Sequence, residues 1–208
     1  GFVSIRLQSR ILESIMSHAL SQLAGQDLGA FVSTYDANKV ILYALAVGAA
    51  ASDLDLVYER DLRVLPTLGC ALGLWAVESA GRLGAYDPKS SLHSAQKIQV
   101  HRPLPVSGAI EMRGRIANVY DKGKAAVLEI EAASEYFTAA YTIFLPGLGG
   151  WGGDRGPSAA PAAEVEYLHT SEARTHPDLA ALYRLTGDLD PVHIDPELAQ
   201  ANGFARPI

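Results

Sequence analysis

Leu182-Tyr183-Arg184-Leu185-Thr186-Gly187-Asp188-Leu189-Asp190-Pro191-Val192-His193 has a counterpart earlier in the same chain. Leu42-Tyr43-Ala44-Leu45 is followed there by Gly48 and then by Asp53-Leu54-Asp55-Leu56-Val57-Tyr58. Each copy is a Leu-Tyr-x-Leu core, a glycine and a hexad of the form Asp-Leu-Asp-x-Val-x, the first copy carrying four extra residues between glycine and aspartate. Self-similarity of this kind points to two related halves. The copies differ where it matters chemically, since His193 in the second stands at the position of Tyr58 in the first. A phenol with a pKa of about 10 is a poor base at neutral pH, whereas an imidazole of about 6.5 can take and return a proton. Acid/base chemistry therefore belongs to the second copy.

Within that copy, Gly187 and Pro191 fix the loop, so that Asp188 and His193, five residues apart, can converge on one small molecule such as water. Asp188, His193 and Asp190 are the candidate catalytic residues. The plainer reading is that Asp188 and Asp190 cap local backbone while His193 packs. A metal site of Asp188, Asp190, His193 and Asp195 has less behind it, because no second histidine and no EF-hand spacing accompany them.

Outward from the repeat, Asp36 is an N-cap for a short helix over Val40 to Ala46 that stops at Gly48. Pro66 to Leu83 is too mixed in period for a strand and too apolar for a surface helix, and reads as one buried helix. From Leu92 to Leu145 the pattern changes to strands. Ile110, Met112, Gly114 and Ile116 share one parity, with Glu111, Arg113 and Arg115 on the other. Asp121-Lys122-Gly123-Lys124 is a hairpin turn, and Ala125 to Ala132 and Phe137 to Leu145 are further strands. A helix followed by a strand meander is an α+β arrangement in which a sheet wraps a buried helix.

Gly147 to Gly153, Pro157 and Pro161 give residues 146–164 the composition of a linker or loop. Beyond it, Val165 to His169 reads as a strand, Pro177 to Leu185 as a helix, and Asp195-Pro196-Glu197 as the start of another helix closed by Asn202-Gly203. At the other end, residues 5–23 place Ile11, Leu12, Ile15, Met16, Ala19, Leu20 and Leu23 on one helical face. Residues 1–30 are thus read as an amphipathic extension that packs on the protein, although Arg6, Arg10 and the serines also match a mitochondrial transit composition.

The composition bounds the function. The chain has 208 residues, 49% of them hydrophobic and 19% charged, the balance of a globular protein with a sizeable core. Seventeen Lys and Arg against 23 Asp and Glu give a net charge of −6, which disfavours nucleic acid as a partner. Cys70 stands alone, so neither an intramolecular disulfide nor a cysteine-clustered zinc site is available. No apolar run is long enough to span a membrane.

Tyr183 to Pro196, followed by Gly203-Phe204-Ala205-Arg206-Pro207-Ile208, closely resembles the hydratase motif of the (R)-specific 2-enoyl-CoA hydratases, the hydratase 2 or MaoC-like dehydratase family. Tyr43 to Ala49, Leu65-Pro66-Thr67, Leu92-His93, Pro103-Leu104-Pro105, Asp121 to Lys124 and Gly147 to Gly153 resemble its N-terminal half. The resemblance implies a double hot-dog fold. Residues 31–145 would form the non-catalytic half that takes the acyl chain, and 165–208 the start of the catalytic half. It implies reversible syn hydration of trans-2-enoyl-CoA to (3R)-3-hydroxyacyl-CoA in fatty-acid β-oxidation, with Asp188 and His193 as the catalytic pair and no metal or redox cofactor. In that scheme the pair holds the attacking water, a proton reaches the α carbon, and a backbone N–H polarises the thioester carbonyl. A homodimer is expected, in the peroxisome of a eukaryote or the cytoplasm of a bacterium.

The chain departs from the family at Asp190, where asparagine is usual, and at Leu92-His93-Ser94-Ala95-Gln96, where His-Gly-Glu-Gln is usual. The family also continues past the proline-isoleucine pair into its second central helix and sheet, so the working enzyme is expected to include more chain than these residues. Two other readings compete. One is a (3R)-hydroxyacyl-thioester dehydratase acting on acyl-carrier protein; the other is a non-catalytic acyl-CoA-binding module. Lys97, Arg102, Lys122 and Lys124 are cations of the kind CoA phosphates need, but each reads first as a solvated surface charge.

Overall fold

In the computed structural model, residues 18–158 and 168–207 are described. Five antiparallel strands form one sheet in the order β1-β3-β4-β5-β2: β1 (Asp27–Tyr35), β2 (Leu92–Val100), β3 (Gly108–Asp121), β4 (Ala125–Ala133) and β5 (Phe137–Pro146). The parity read from the sequence holds in the inner strands. Ile110, Met112 and Ile116 of β3, Leu128 and Ile130 of β4, and Phe137, Tyr141 and Leu145 of β5 are at most 1% exposed, all on the face that meets the helices. Alternation survives because one face of the sheet is core and the other is wet.

The helical segment crossing that face is α3 (Leu68–Leu72) followed by α4 (Trp75–Gly81), after α1 (Ala37–Ala46) and the single turn α2 (Leu54–Val57). The sequence predicts one helix here, and the break has a local cause. Cys70 O, which an uninterrupted helix would offer to Leu74 N, accepts instead from Tyr141 Oη of β5 at 2.5 Å, and Leu74 N turns to Ala71 O at 3.4 Å. A Cβ on Gly73 would lie 2.5 Å from the same hydroxyl, so the approach of helix to sheet depends on glycine there. A sheet wrapped around a buried helix is the hot-dog arrangement, and the class is α+β.

One boundary differs from the sequence reading, and one loop is held more firmly than its composition suggests. β1 begins at Asp27, so residues 27–30 of the expected extension belong to the sheet; a bulge between Asp27 and Gly29 hides the strand's period. Gly147 to Gly153 is tied down rather than loose. Asp121, 3% exposed at the end of β3, accepts from the backbone N–H groups of Gly123 and Gly150 on one oxygen and of Gly152 and Gly153 on the other.

Asp36 caps α1 by accepting from Lys39 N at 3.0 Å, and Gly48 follows its end at φ 105°, as expected. Residues 18–21 are helical and residues 22–23 are not, while residues 5–17 of the expected N-terminal helix and residues 165–167 of the Val165–His169 strand lie outside the described residues. The second copy of the repeat supplies α5 (Leu179–Arg184), a 3₁₀ turn (Pro191–His193) and α6 (Pro196–Ala201).

Candidate active site

The site grows from the end of α5. Thr186, wholly buried, closes the helix by directing both its N–H (2.9 Å) and its hydroxyl (2.7 Å) to Tyr183 O. Gly187 follows at φ 141°, a region that only glycine adopts without strain, and a Cβ there would meet Ala71 O of α3 at 3.3 Å. The loop of the second copy is thereby seated on the helix at the centre of the first.

From this seat the chain turns sharply. Asp188 Oδ1 accepts from Asp190 N at 3.3 Å, and Asp190 Oδ1 accepts from Val192 N at 3.0 Å, capping the 3₁₀ turn that carries His193. Val192 is 8% exposed and points the turn's apolar side inward. His193 Nε2 then lies 4.0 Å from Asp188 Oδ2, with the two side chains 38% and 25% exposed. The gap is too long for a direct hydrogen bond and suits a water bonded to both groups.

The structure thus brings Asp188 and His193 together and gives the Asp190 carboxylate a backbone task. Asp195 is spent similarly, as the N-cap of α6, accepting from Glu197 N at 2.8 Å and Leu198 N at 3.3 Å. Asp188 and Asp190 each accept from local backbone, as the plainer reading has it, and Asp195 opens α6 as the sequence reading of that helix expects, while His193 stands opposite Asp188.

Behind the loop lies a set of residues that the sequence did not single out as functional. The Tyr183 ring faces Tyr43 of α1, centroids 6.5 Å apart and planes at 47°. Burial pushes the Tyr183 phenol up to about 12, with Tyr43, Asp188 and Cys70 acting in the same direction. Burial likewise raises Tyr43 and, most of all, Tyr141. These hydroxyls stay protonated at any working pH. The repeat marked Tyr43 and Tyr183 as equivalent, but no spacing rule says that equivalent residues touch.

A cavity of about 400 Å³ opens at the start of the central helical segment, lined by Leu56, Leu62, Val64, Leu65, Leu104 and Val106 among others. Its wall is mostly apolar, with Arg63 as the charged side chain among its lining. Of the four cations, Arg102 pairs with Glu135 at 3.1 Å and Lys122 donates to Arg155 O. Among the described residues, no helix is long and apolar enough to cross a membrane.

Comparison with known proteins agrees with this architecture. The family model for the MFE-2 hydratase 2 N-terminal domain matches residues 33–145, and that for the MaoC like domain matches residues 158–208. The chain is 35% identical over 205 residues to the peroxisomal enoyl-CoA hydratase 2 of Arabidopsis thaliana, covering 84% of this chain and 66% of that protein. It is 37% identical over 186 residues to a probable enoyl-CoA hydratase 2 of Dictyostelium discoideum, covering 81% and 63%. Among solved structures, a MaoC-like dehydratase from Phytophthora capsici superposes with a TM-score of 0.77 at 25% identity, over 90% of this chain and 70% of that one. The chain spans less than two thirds of the length of both relatives. A sheet wrapped on a helix, a second copy carrying Asp188 and His193, and family models over both parts lead to one conclusion: the chain belongs to the hydratase 2 branch of the MaoC-like family.

Proposed function

We propose that this chain carries the proton-transfer site of an enoyl-CoA hydratase 2, a hydro-lyase that adds water reversibly to trans-2-enoyl-CoA to give (3R)-3-hydroxyacyl-CoA. The observation that carries the reading is the 4.0 Å approach of Asp188 to His193 across a turn seated on the central helix. A water bonded to both groups loses a proton to one of them as its oxygen attacks C3. A proton is delivered to C2, so that H and OH add across the double bond with no change in oxidation state. The reaction asks for acid/base groups and no cofactor. Relatives carrying the hydratase 2 name support the assignment.

The mostly apolar cavity between the α2 region and Leu104 to Val106 is assigned to the acyl chain, because its leucines and valines offer dispersion contacts, with Arg63 the charged side chain among its lining. Asp190 is assigned to positioning, since its carboxylate holds the turn that presents His193. We place the enzyme in the peroxisome if its source is eukaryotic, as the Arabidopsis relative's name suggests, and in the cytoplasm if bacterial. A homodimer is the proposed assembly.

The test follows the loss of trans-2-enoyl-CoA absorbance and the configuration of the product. Turnover to the (3R) product that falls by about 10²- to 10⁴-fold in His193→Ala supports the reading. Saturable binding of enoyl-CoA with no turnover would overturn it and leave a binding module.

A further inference from the structure

We propose that Tyr183, packed on Tyr43, is a positioning residue for the hydration step, holding the turn on which Asp188 faces His193. The inference rests on the hydratase reading for its kinetic arm alone. Helix α5 is only six residues long and cannot fix its own direction by helix propensity. Its place is set by what it packs against, and the ring that meets the first half is Tyr183. Tyr43, 4% exposed on the ten-residue α1, is fixed in the main core.

The connection from Tyr183 to the reacting groups is short and continuous. Tyr183 O receives both bonds from Thr186, Thr186 leads directly into Gly187, and at Gly187 a side chain would press on Ala71 O of α3. Asp188 is the next residue, and its Oδ1 holds the Asp190 N–H that begins the His193 turn. A shift of the Tyr183 ring therefore moves Asp188 along with it. Displacement of about 1 Å at a reacting group costs on the order of a hundredfold in rate. The Tyr183 hydroxyl stays protonated and brings no charge to Asp188, so the effect runs through the ring and its packing rather than through the hydroxyl.

The experiment compares Tyr183→Leu, Tyr183→Phe, Tyr43→Leu and the double leucine variant with the parent chain in two measurements. In steady-state hydration, Tyr183→Leu is expected to lose at least about tenfold in kcat with KM changed by less than about twofold, while Tyr183→Phe stays within about threefold of the parent. Tyr43→Leu should show a similar loss, and the double variant should be no worse than the poorer single one, because both remove the same contact. In amide exchange, the Asp190 and Val192 N–H groups should exchange faster in Tyr183→Leu and unchanged in Tyr183→Phe. Leucine variants that keep kcat, losses that multiply, or unchanged exchange at Asp190 and Val192 would each overturn the proposal. If Tyr43→Leu melts below the assay temperature, the contrast of Leu with Phe at position 183 decides alone. A parent chain without turnover defeats the hydratase reading, and the exchange measurement still tests the positioning role.

Discussion

Tyr43 and Tyr183 hold the same position in the two copies of the repeat, and their rings meet with centroids 6.5 Å apart. The contact joins α1 of the first copy directly to α5 of the second. The asymmetry lies in the residues C-terminal to each tyrosine. After Tyr43 the chain reaches Tyr58, 45% exposed and outside the Asp188 loop; after Tyr183 it reaches His193 opposite Asp188. One copy supplies the seat and the other carries Asp188 and His193.

Asp188→Asn tests whether the carboxylate acts as a charge or as a cap. Asparagine Oδ1 still accepts from Asp190 N, so the turn should persist and the melting temperature should move little. The neutral amide cannot take a proton from water or support a protonated histidine. Hydration should fall by about 10²-fold or more, with substrate affinity retained. A variant with parental kcat would assign Asp188 to capping alone.

Asp190→Asn should behave differently. The bond from Val192 N needs only one side-chain oxygen, which asparagine also has, so kcat should stay within a few-fold of the parent. Asp190→Ala removes the cap and should cost about 1 kcal/mol of local stability and a larger part of kcat. A steep loss in Asp190→Asn would return the carboxylate to the reaction itself.

Gly187→Ala is predicted to damage the site from a distance. At φ 141° an alanine is strained, and its Cβ would press on Ala71 O at 3.3 Å. A destabilisation of roughly 1–3 kcal/mol is expected by thermal melting, with kcat falling more than the melting temperature alone explains.

The β-strand parity of Ile110 to Ile116 and the caps at Asp36 and Asp195 were legible because each depends on residues close in sequence. The split between α3 and α4 was not, since Tyr141 Oη takes the Cys70 carbonyl across 71 residues of sequence. The first residues of β1 were obscured by the bulge beside Gly29. At the candidate site, the hexad singled out Asp188, Asp190 and His193, while the backbone N–H that each aspartate oxygen faces depends on the folded turn. The glycines after Gly147 read as linker because composition reports freedom and not what restrains it.

That restraint gives the last prediction. Burial alone would raise the pKa of Asp121, but donors from Gly150, Gly123, Gly152 and Gly153 outweigh it and hold the carboxyl at about 2. A pKa lowered by folding contributes stability that is complete above the ordinary carboxylate range and is lost as pH falls through the folded value. The loop should therefore loosen between about pH 4 and pH 2. Asp121→Asn has one acceptor oxygen for the same donors and sets its amide NH₂ against the others, leaving buried groups unpaired. It should lower stability at neutral pH by about 3 kcal/mol and flatten the acid dependence in that window, read as melting temperature against pH. A variant as stable as the parent, with the same acid profile, would show that the glycine loop is held by something other than Asp121.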